Sequence, residues 1–495
     1  MHSDKKNSLW LAFQFIITLI ISLIVLKVNI NHFGKETFGI WILLASIWGF
    51  GTALDFGFGT AIVKYVSQYK DDKLKIDRLL SSSIIVFFIN GILILIIGSI
   101  VGSAVYFNNV SIISPSHKFY FINVFLVLGL SFYFQYLSLF FKAVNEGLSN
   151  FSLTSIITII QNILLLLGVL IISLIKSDLI ILSFLYFSIN IIVLFAYIIH
   201  FNLRVRKYFI KISLFSLKEV KSILGFSLSV QAMSIFYALI DPIVKYIIGT
   251  NLSLNFIPAY EIARKFALAI SGLFFAAFKI VLPKASVLKS KLEINNFILN
   301  DIVKYTKLGV VYSGLTFGVL SLPIILFIDF VFGIREASLI FIILSLPESI
   351  NNFGFSVYNF LLGTGKVFFL ASLQFINLIS VIIALFLGFA IFHTSIGLIG
   401  YFISVLFGNI LMVFYLIKKF EIPPWNFLKK VGVIKLILLI CLFFLAVLII
   451  YNNYFSINII LLILSLLSFF LFAADFKMFF VKFIFFIKNG TTFFK

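Results

Sequence analysis

Long stretches of the chain carry no charge, and this constrains the fold more than any other feature. Apolar runs bounded by charged or turn residues number fourteen, at about 9–28, 38–63, 80–107, 119–141, 152–175, 179–200, 224–248, 256–282, 308–332, 337–361, 367–391, 395–417, 432–451 and 456–475. A helix of about 20 apolar residues crosses the ~30 Å hydrocarbon core of a bilayer, and every run reaches that length. Unpaired backbone groups are costly in hydrocarbon, so helices are the expected form, and the short alternating segments of an outer-membrane barrel are absent. Most runs are apolar around their whole circumference, as helices bathed in lipid are. The chain is 62% hydrophobic and only 11% charged, which excludes a soluble globular protein. The expected fold class is therefore an all-α membrane protein of about fourteen transmembrane helices.

The basic residues orient these spans, because Lys and Arg near span ends are retained on the cytoplasmic side. With the N-terminus inside, the outer loops hold only Lys27, Lys35, Lys118, Lys176, Lys245 and Arg335. Lys64, Arg264 and Lys265 lie at membrane depth, which leaves 29 of the 38 Lys and Arg on the inner side. An even number of spans then returns the C-terminus to the cytoplasm. The net charge of +20 is thus mostly a topological signature rather than a nucleic-acid footprint, with attraction to anionic lipid as a by-product. Span 9–28 follows Lys5-Lys6 but is longer than a signal-peptide core and lacks a small-x-small cleavage site, so it is expected to be retained.

Several function classes drop out. A single cysteine, Cys441, excludes a disulfide framework, an iron–sulfur centre and a Cys-ligated zinc site. The five histidines are too scattered for a metal centre. Gly365-Lys366 has Phe360 where a phosphate loop needs its first glycine, and Gly57-Phe58-Gly59 lacks the third glycine of a dinucleotide fingerprint. No cofactor, no metal and no nucleic acid are expected.

The chain carries a weak internal repeat. At an offset of 219 residues, Phe38-Gly39-Ile40-Trp41 falls on Ile257-Pro258-Ala259-Tyr260, each opening an inward-running span. Both copies begin at odd-numbered spans, which implies two parallel six-helix lobes related by a pseudo-two-fold axis along the membrane normal. The expected divisions are 1–207 and 208–420 for the two lobes and 421–495 for two additional spans and a tail.

Phe33-Gly34-Lys35-Glu36-Thr37-Phe38-Gly39-Ile40-Trp41, followed by Leu54-Asp55-Phe56-Gly57-Phe58-Gly59, resembles the opening of bacterial oligosaccharide flippases. Ile240-Asp241-Pro242, Tyr260-Glu261-Ile262-Ala263-Arg264 and Leu282-Pro283-Lys284-Ala285-Ser286 are similar to the same family at its seventh and eighth helices. This is the polysaccharide-export branch, which includes O-antigen flippases, of the multidrug/oligosaccharidyl-lipid/polysaccharide superfamily. Recognisable motifs cover about 33–78 and 225–290, and Pro258 stands where the family commonly has a small residue. The resemblance implies a lipid-linked saccharide, typically on undecaprenyl pyrophosphate, moved between leaflets of the bacterial plasma membrane by alternating access. It also implies membrane lipid as surroundings, with a polysaccharide polymerase and glycosyltransferases as partners.

Charge at membrane depth is expensive and needs a partner or water. Glu261, Arg264 and Lys265 are spaced three and four residues apart, on one face of span 8. Lys279 lies 14 residues beyond Lys265 and returns within about 40° of that face. The resulting basic stripe suits a pyrophosphate, with Arg264 offering a bidentate fork; snorkelling or structural pairing with Glu261 is the alternative. Lys64, near the inner interface, is either a further cavity cation or an anchor. Asp241 precedes Pro242, with Lys245 four residues on, and fits a helix-end salt bridge or an ion-coupling carboxylate. Asp55, beside the Gly57-x-Gly59 pair, fits a structural or a coupling role. Glu348 follows Pro347 with no charged neighbour in sequence, so it needs an interhelical partner or a proton. Trp41, Trp48 and Tyr260 are either sugar-stacking platforms or interface aromatics. A flippase of lipid-linked oligosaccharide heads the alternatives, followed by a peptidoglycan-precursor flippase and a multidrug extruder. A membrane glycosyltransferase or polymerase is disfavoured by outer loops of at most about 15 residues and by the lack of a D-x-D motif.

Overall fold

The computed structural model describes residues 2–53, 58–69, 72–108, 118–175, 178–205, 208–278, 281–286, 288, 290–451, 466–468, 471–473 and 475. Among these, every regular element is helical. The chain divides into two compact units, Met1–Pro258 and Ala259–Lys495. Ten of the described helices are long and apolar enough to cross a membrane, which makes this a multi-pass membrane protein.

The first unit contains α1 (His2–Phe33), α2 (Lys35–Ala53), α3 (Phe58–Tyr69), α4 (Lys73–Asn108), α5 (Lys118–Gly147), α6 (Phe151–Ile175), α7 (Leu179–Arg204) and α8 (Leu217–Asn251). The run expected at 38–63 falls on α2 and α3, with 54–57 outside the described residues. Helix α5 packs against α7, α3 and α4, while α1 packs along α6. Helix α8 packs on α2, α3 and α4, so contacts place the seventh span with the first six. The division expected at 207/208 came from the repeat of the spans, whereas that at 258/259 follows packing.

The second unit contains most of α9 (Phe256–Phe278), then α10 (Val281–Ser286), α11 (Lys291–Phe297), α12 (Val303–Gly314), α13 (Ser321–Phe332), α14 (Arg335–Gly363), α15 (Val367–Phe392), α16 (Ile399–Lys419), α17 (Pro424–Val431) and α18 (Val433–Tyr451). Wide π-helical turns at Ile298–Ile302 and Leu315–Leu320 join α11, α12 and α13 into one 42-residue rod, Lys291–Phe332. Pro258 sits in the first turn of α9, where no N–H is needed for an intrahelical bond, so the helix accommodates it. The span expected at 456–475 lies mostly outside the described residues.

Burial sorts the helices. The apolar stretch of α14 is 89% buried, and that of α6 only 17%. Helix α14 therefore forms the axis of its unit, packed by α12 and α16, whereas α6 turns Ile160, Leu167 and Leu174 outward as a lipid-facing surface.

Trp48 is the largest fully buried side chain of the first unit, and its indole N–H donates to the Phe125 carbonyl at 2.9 Å. Its ring fills space that only glycine leaves open on two neighbouring helices. A Cβ at Gly129 would stand 2.6 Å from the ring, and one at Gly98 would also collide with it. Helices in lipid gain association from such close packing. Gly129→Leu is expected to lower the unfolding midpoint in detergent by several degrees, and to cost much less in a Trp48→Leu background. Equal losses in both backgrounds would refute the packing account.

Candidate functional site

The charged residues at membrane depth in the second unit gather around α9 and α14. Helix α9 carries Glu261 and Lys265 one turn apart, and their side chains pair at 3.6 Å, as the spacing predicts. Arg264, between them in sequence, is half-buried, and its charge acts on the carboxyl of Glu348 from α14. Glu348 is only 6% exposed. Hydrocarbon solvates a carboxylate poorly, so its oxygens must be satisfied by the protein.

Two helices donate to those oxygens, and a third bonds to the backbone of the same residue. The Tyr401 hydroxyl of α16 donates to Glu348 Oε1 at 3.1 Å, and Asn351 Nδ2 of α14 donates to Oε2 at 3.4 Å. Asn409 Nδ2 of α16 donates in turn to Asn351 Oδ1 at 3.3 Å. On the α9 side, Ser271 Oγ donates to the Glu348 backbone carbonyl at 3.4 Å. Asn409 comes this close because Gly354 has no side chain; a Cβ there would strike the Asn409 amide. Glu348 thus has an interhelical donor in Tyr401, a second donor on its own helix in Asn351, and one cationic neighbour in Arg264.

The opposite flank of α14 is tied to α12 by small hydroxyls. Ser313 Oγ donates to the Ser349 carbonyl at 2.5 Å, Thr316 and Ser349 hydroxyls lie 2.8 Å apart, and Thr306 and Ser356 do the same at 2.8 Å. Sequence analysis missed Tyr401, Asn351, Asn409, Ser271 and Ser349. A signal existed for part of this set: Ser345, Ser349, Asn352, Ser356 and Asn359 recur at helical spacing within one apolar span.

The remaining expected site residues distribute as follows. Asp241 and Lys245 pair at 2.8 Å on α8, with Lys245 almost fully buried, which is the salt bridge that their spacing suggested. Trp41 is 4% exposed and packs its ring on Tyr186 at 5.1 Å, and Tyr260 is buried as well. Lys64 is exposed on α3, with its ammonium group 5.1 Å from the Tyr65 ring. Asp55 and Lys279 lie outside the described residues. Among the described residues no cluster of three or more His, Cys, Asp or Glu is arranged to hold a metal ion.

The fold has relatives among solved structures. A Lipid II flippase MurJ, in an inward closed conformation, matches with a TM-score of 0.62 at 18% identity, covering 96% of this chain and 99% of that one. A multidrug resistance MATE family transporter of the MOP superfamily, facing inward, matches at 0.58 and 14% identity over 85% and 95%. A MOP superfamily transporter from Pyrococcus furiosus, described as having a binding pocket of reversed polarity, matches at 0.55 and 15% identity over 84% and 96%. At these identities the likeness is one of fold. No curated protein sequence matches the chain. The family model described as polysaccharide biosynthesis protein matches residues 5–289, more than half of the sequence. The chain belongs to that polysaccharide biosynthesis family and is built on the MurJ- and MATE-like transporter fold.

Proposed function

We propose that this protein is a flippase that carries a lipid-linked oligosaccharide, borne on undecaprenyl pyrophosphate, from the inner to the outer leaflet of the bacterial plasma membrane. It acts by alternating access, without covalent chemistry, and with both termini in the cytoplasm. The observation that carries this function is membership of the polysaccharide biosynthesis family across 5–289, a stretch that includes the opening motif and α9. The chemistry of α9 supports it: Arg264 and Lys265 outnumber Glu261 and suit an anionic headgroup. Lys279 and Lys64 are the further cations proposed to meet the headgroup, while Asp55, Asp241, Glu261 and Glu348 are the carboxylates available to couple an ion. Tyr260 and Trp41 are the proposed sugar-facing aromatics, reached when the path opens. A polysaccharide polymerase and glycosyltransferases are the enzymes that would act on either side of this step.

Translocation of a peptidoglycan lipid precursor is the second function, favoured by the likeness to the Lipid II flippase along 96% of the chain. A multidrug extruder for cationic drugs would call for an acidic path, against the net positive charge of α9.

Expression in a strain lacking its own O-unit flippase is expected to restore surface polysaccharide. Arg264→Ala, at equal membrane abundance, is expected to reduce that restoration at least tenfold; equal restoration would remove Arg264 from the mechanism. Rescue of a strain depleted of its lipid II flippase would favour the second function, and drug resistance without glycan would favour extrusion.

The Glu348 network makes a separate prediction. Tyr401→Phe deprives one carboxylate oxygen of its donor and is expected to cost roughly 1–3 kcal/mol of stability. In a Glu348→Leu background the same change is expected to cost little, as read from denaturation midpoints in detergent. Equal costs in both backgrounds would show that the hydroxyl does not act through Glu348.

A further inference from the structure

The segment joining α7 to α8 is stitched to the start of α4. The Phe209 N–H donates to Asp77 Oδ1 at 2.8 Å, the Lys211 N–H to Ser81 Oγ at 2.9 Å, and the Ser216 N–H to Ser82 Oγ at 2.9 Å. All three acceptors are buried, so residues 208–216 form a fixed strap rather than a loose linker. What the strap presents outward is both apolar and basic. Phe209 is 48% exposed, Leu217 is 65% exposed, and Leu74 on α4 is 70% exposed. The Lys73 ammonium lies 4.8 Å from the centre of the Phe209 ring and the Lys211 ammonium 5.6 Å from it, so the two charges stand no more than about 10 Å apart. Among the described residues, neither has a carboxylate within ion-pair distance. Among the described residues, the nearby acids accept backbone bonds: Asp77 holds the strap, and Asp72 accepts the Lys75 N–H at 3.1 Å.

The depth of this surface follows from the length of α4. Its 36 residues span about 54 Å, well beyond the ~30 Å hydrocarbon core. All of its charges, Lys73, Lys75, Asp77 and Arg78, fall in the first two turns, and none follows from Leu79 to Asn108. The uncharged stretch begins just past Arg78, so the strap lies at the polar end of α4, on the side of the headgroups. Aromatic rings and basic side chains together are what that layer favours.

We propose that the strap and the first two turns of α4 form a binding ledge for anionic phospholipid, with the lipid phosphate held between Lys73 and Lys211 against Phe209. A phosphate there relieves the repulsion of two unneutralised cations on one ring, while Phe209 and Leu217 insert among the upper acyl carbons.

The test uses the full-length protein reconstituted in vesicles of equimolar phosphatidylglycerol and phosphatidylcholine, extracted, and analysed by native mass spectrometry for retained lipid. The wild type is expected to retain phosphatidylglycerol roughly tenfold over phosphatidylcholine. Lys73→Gln/Lys211→Gln is expected to bring that ratio near parity, and Lys73→Arg/Lys211→Arg to keep it. Lys418→Gln/Lys419→Gln removes the same charge from another exposed site and is expected to leave the ratio unchanged. An unchanged ratio in the glutamine strap variant, or an equal fall in the Lys418/Lys419 control, would overturn the proposal. The substituted lysines are exposed, so the unfolding midpoint of each variant verifies that it is folded before the lipid ratios are compared.

Discussion

Hydrocarbon gives a polar group nothing to bond with, and that single constraint organises both halves of this molecule. Backbone groups meet it by forming helices; side chains must meet it across helices. In the first unit, Asn90 bonds to the Tyr136 hydroxyl at 2.7 Å, and Asn190 receives Gln161 at 3.0 Å while donating to Ser131 at 2.9 Å. These links fix α4, α5, α6 and α7 in register where dispersion alone would allow sliding. In the second unit α14 plays the same part with hydroxyls on one flank and the Glu348 network on the other. Each polar link demands close approach, and glycines such as Gly354 grant it.

Two regimes of electrostatics coexist. Lys291 and Glu421 pair at 2.8 Å with both side chains in water, and that contact holds the Glu421 carboxyl below its usual range. Solvent screening makes such a pair worth little to stability. Arg264, Glu348, Asp241 and Lys245 sit where screening is weak, so removing one member leaves its partner exposed to the full desolvation penalty. Among the described residues, the buried and half-buried charges on α8, α9 and α14 each have a specific neighbour.

Much of this was legible in the sequence because it is local. Apolar runs give spans directly, and spacing of four residues gave the Asp241–Lys245 and Glu261–Lys265 pairs found at 2.8 and 3.6 Å. Contacts between helices were not legible, since they depend on how one helix is rotated against another. Tyr401 lies 53 residues from Glu348, and nothing marks it out among 19 tyrosines. Nothing in the sequence around Asp77 shows that it clasps a backbone 132 residues away. The span that carries α9 was legible too, as the run at 256–282, charge cluster included.

The rod from Lys291 to Phe332 winds through two wide turns, at Ile298–Ile302 and Leu315–Leu320. A π turn is an α turn into which one extra residue has been taken up without breaking the chain. Losing a residue at either place lets the rod rewind as plain α-helix, with the helical faces on both sides kept nearly in register. A one-residue deletion at these two spots is thus absorbed where it falls, whereas the same deletion in the plain α-helical stretches between them would turn every later side chain by about 100°.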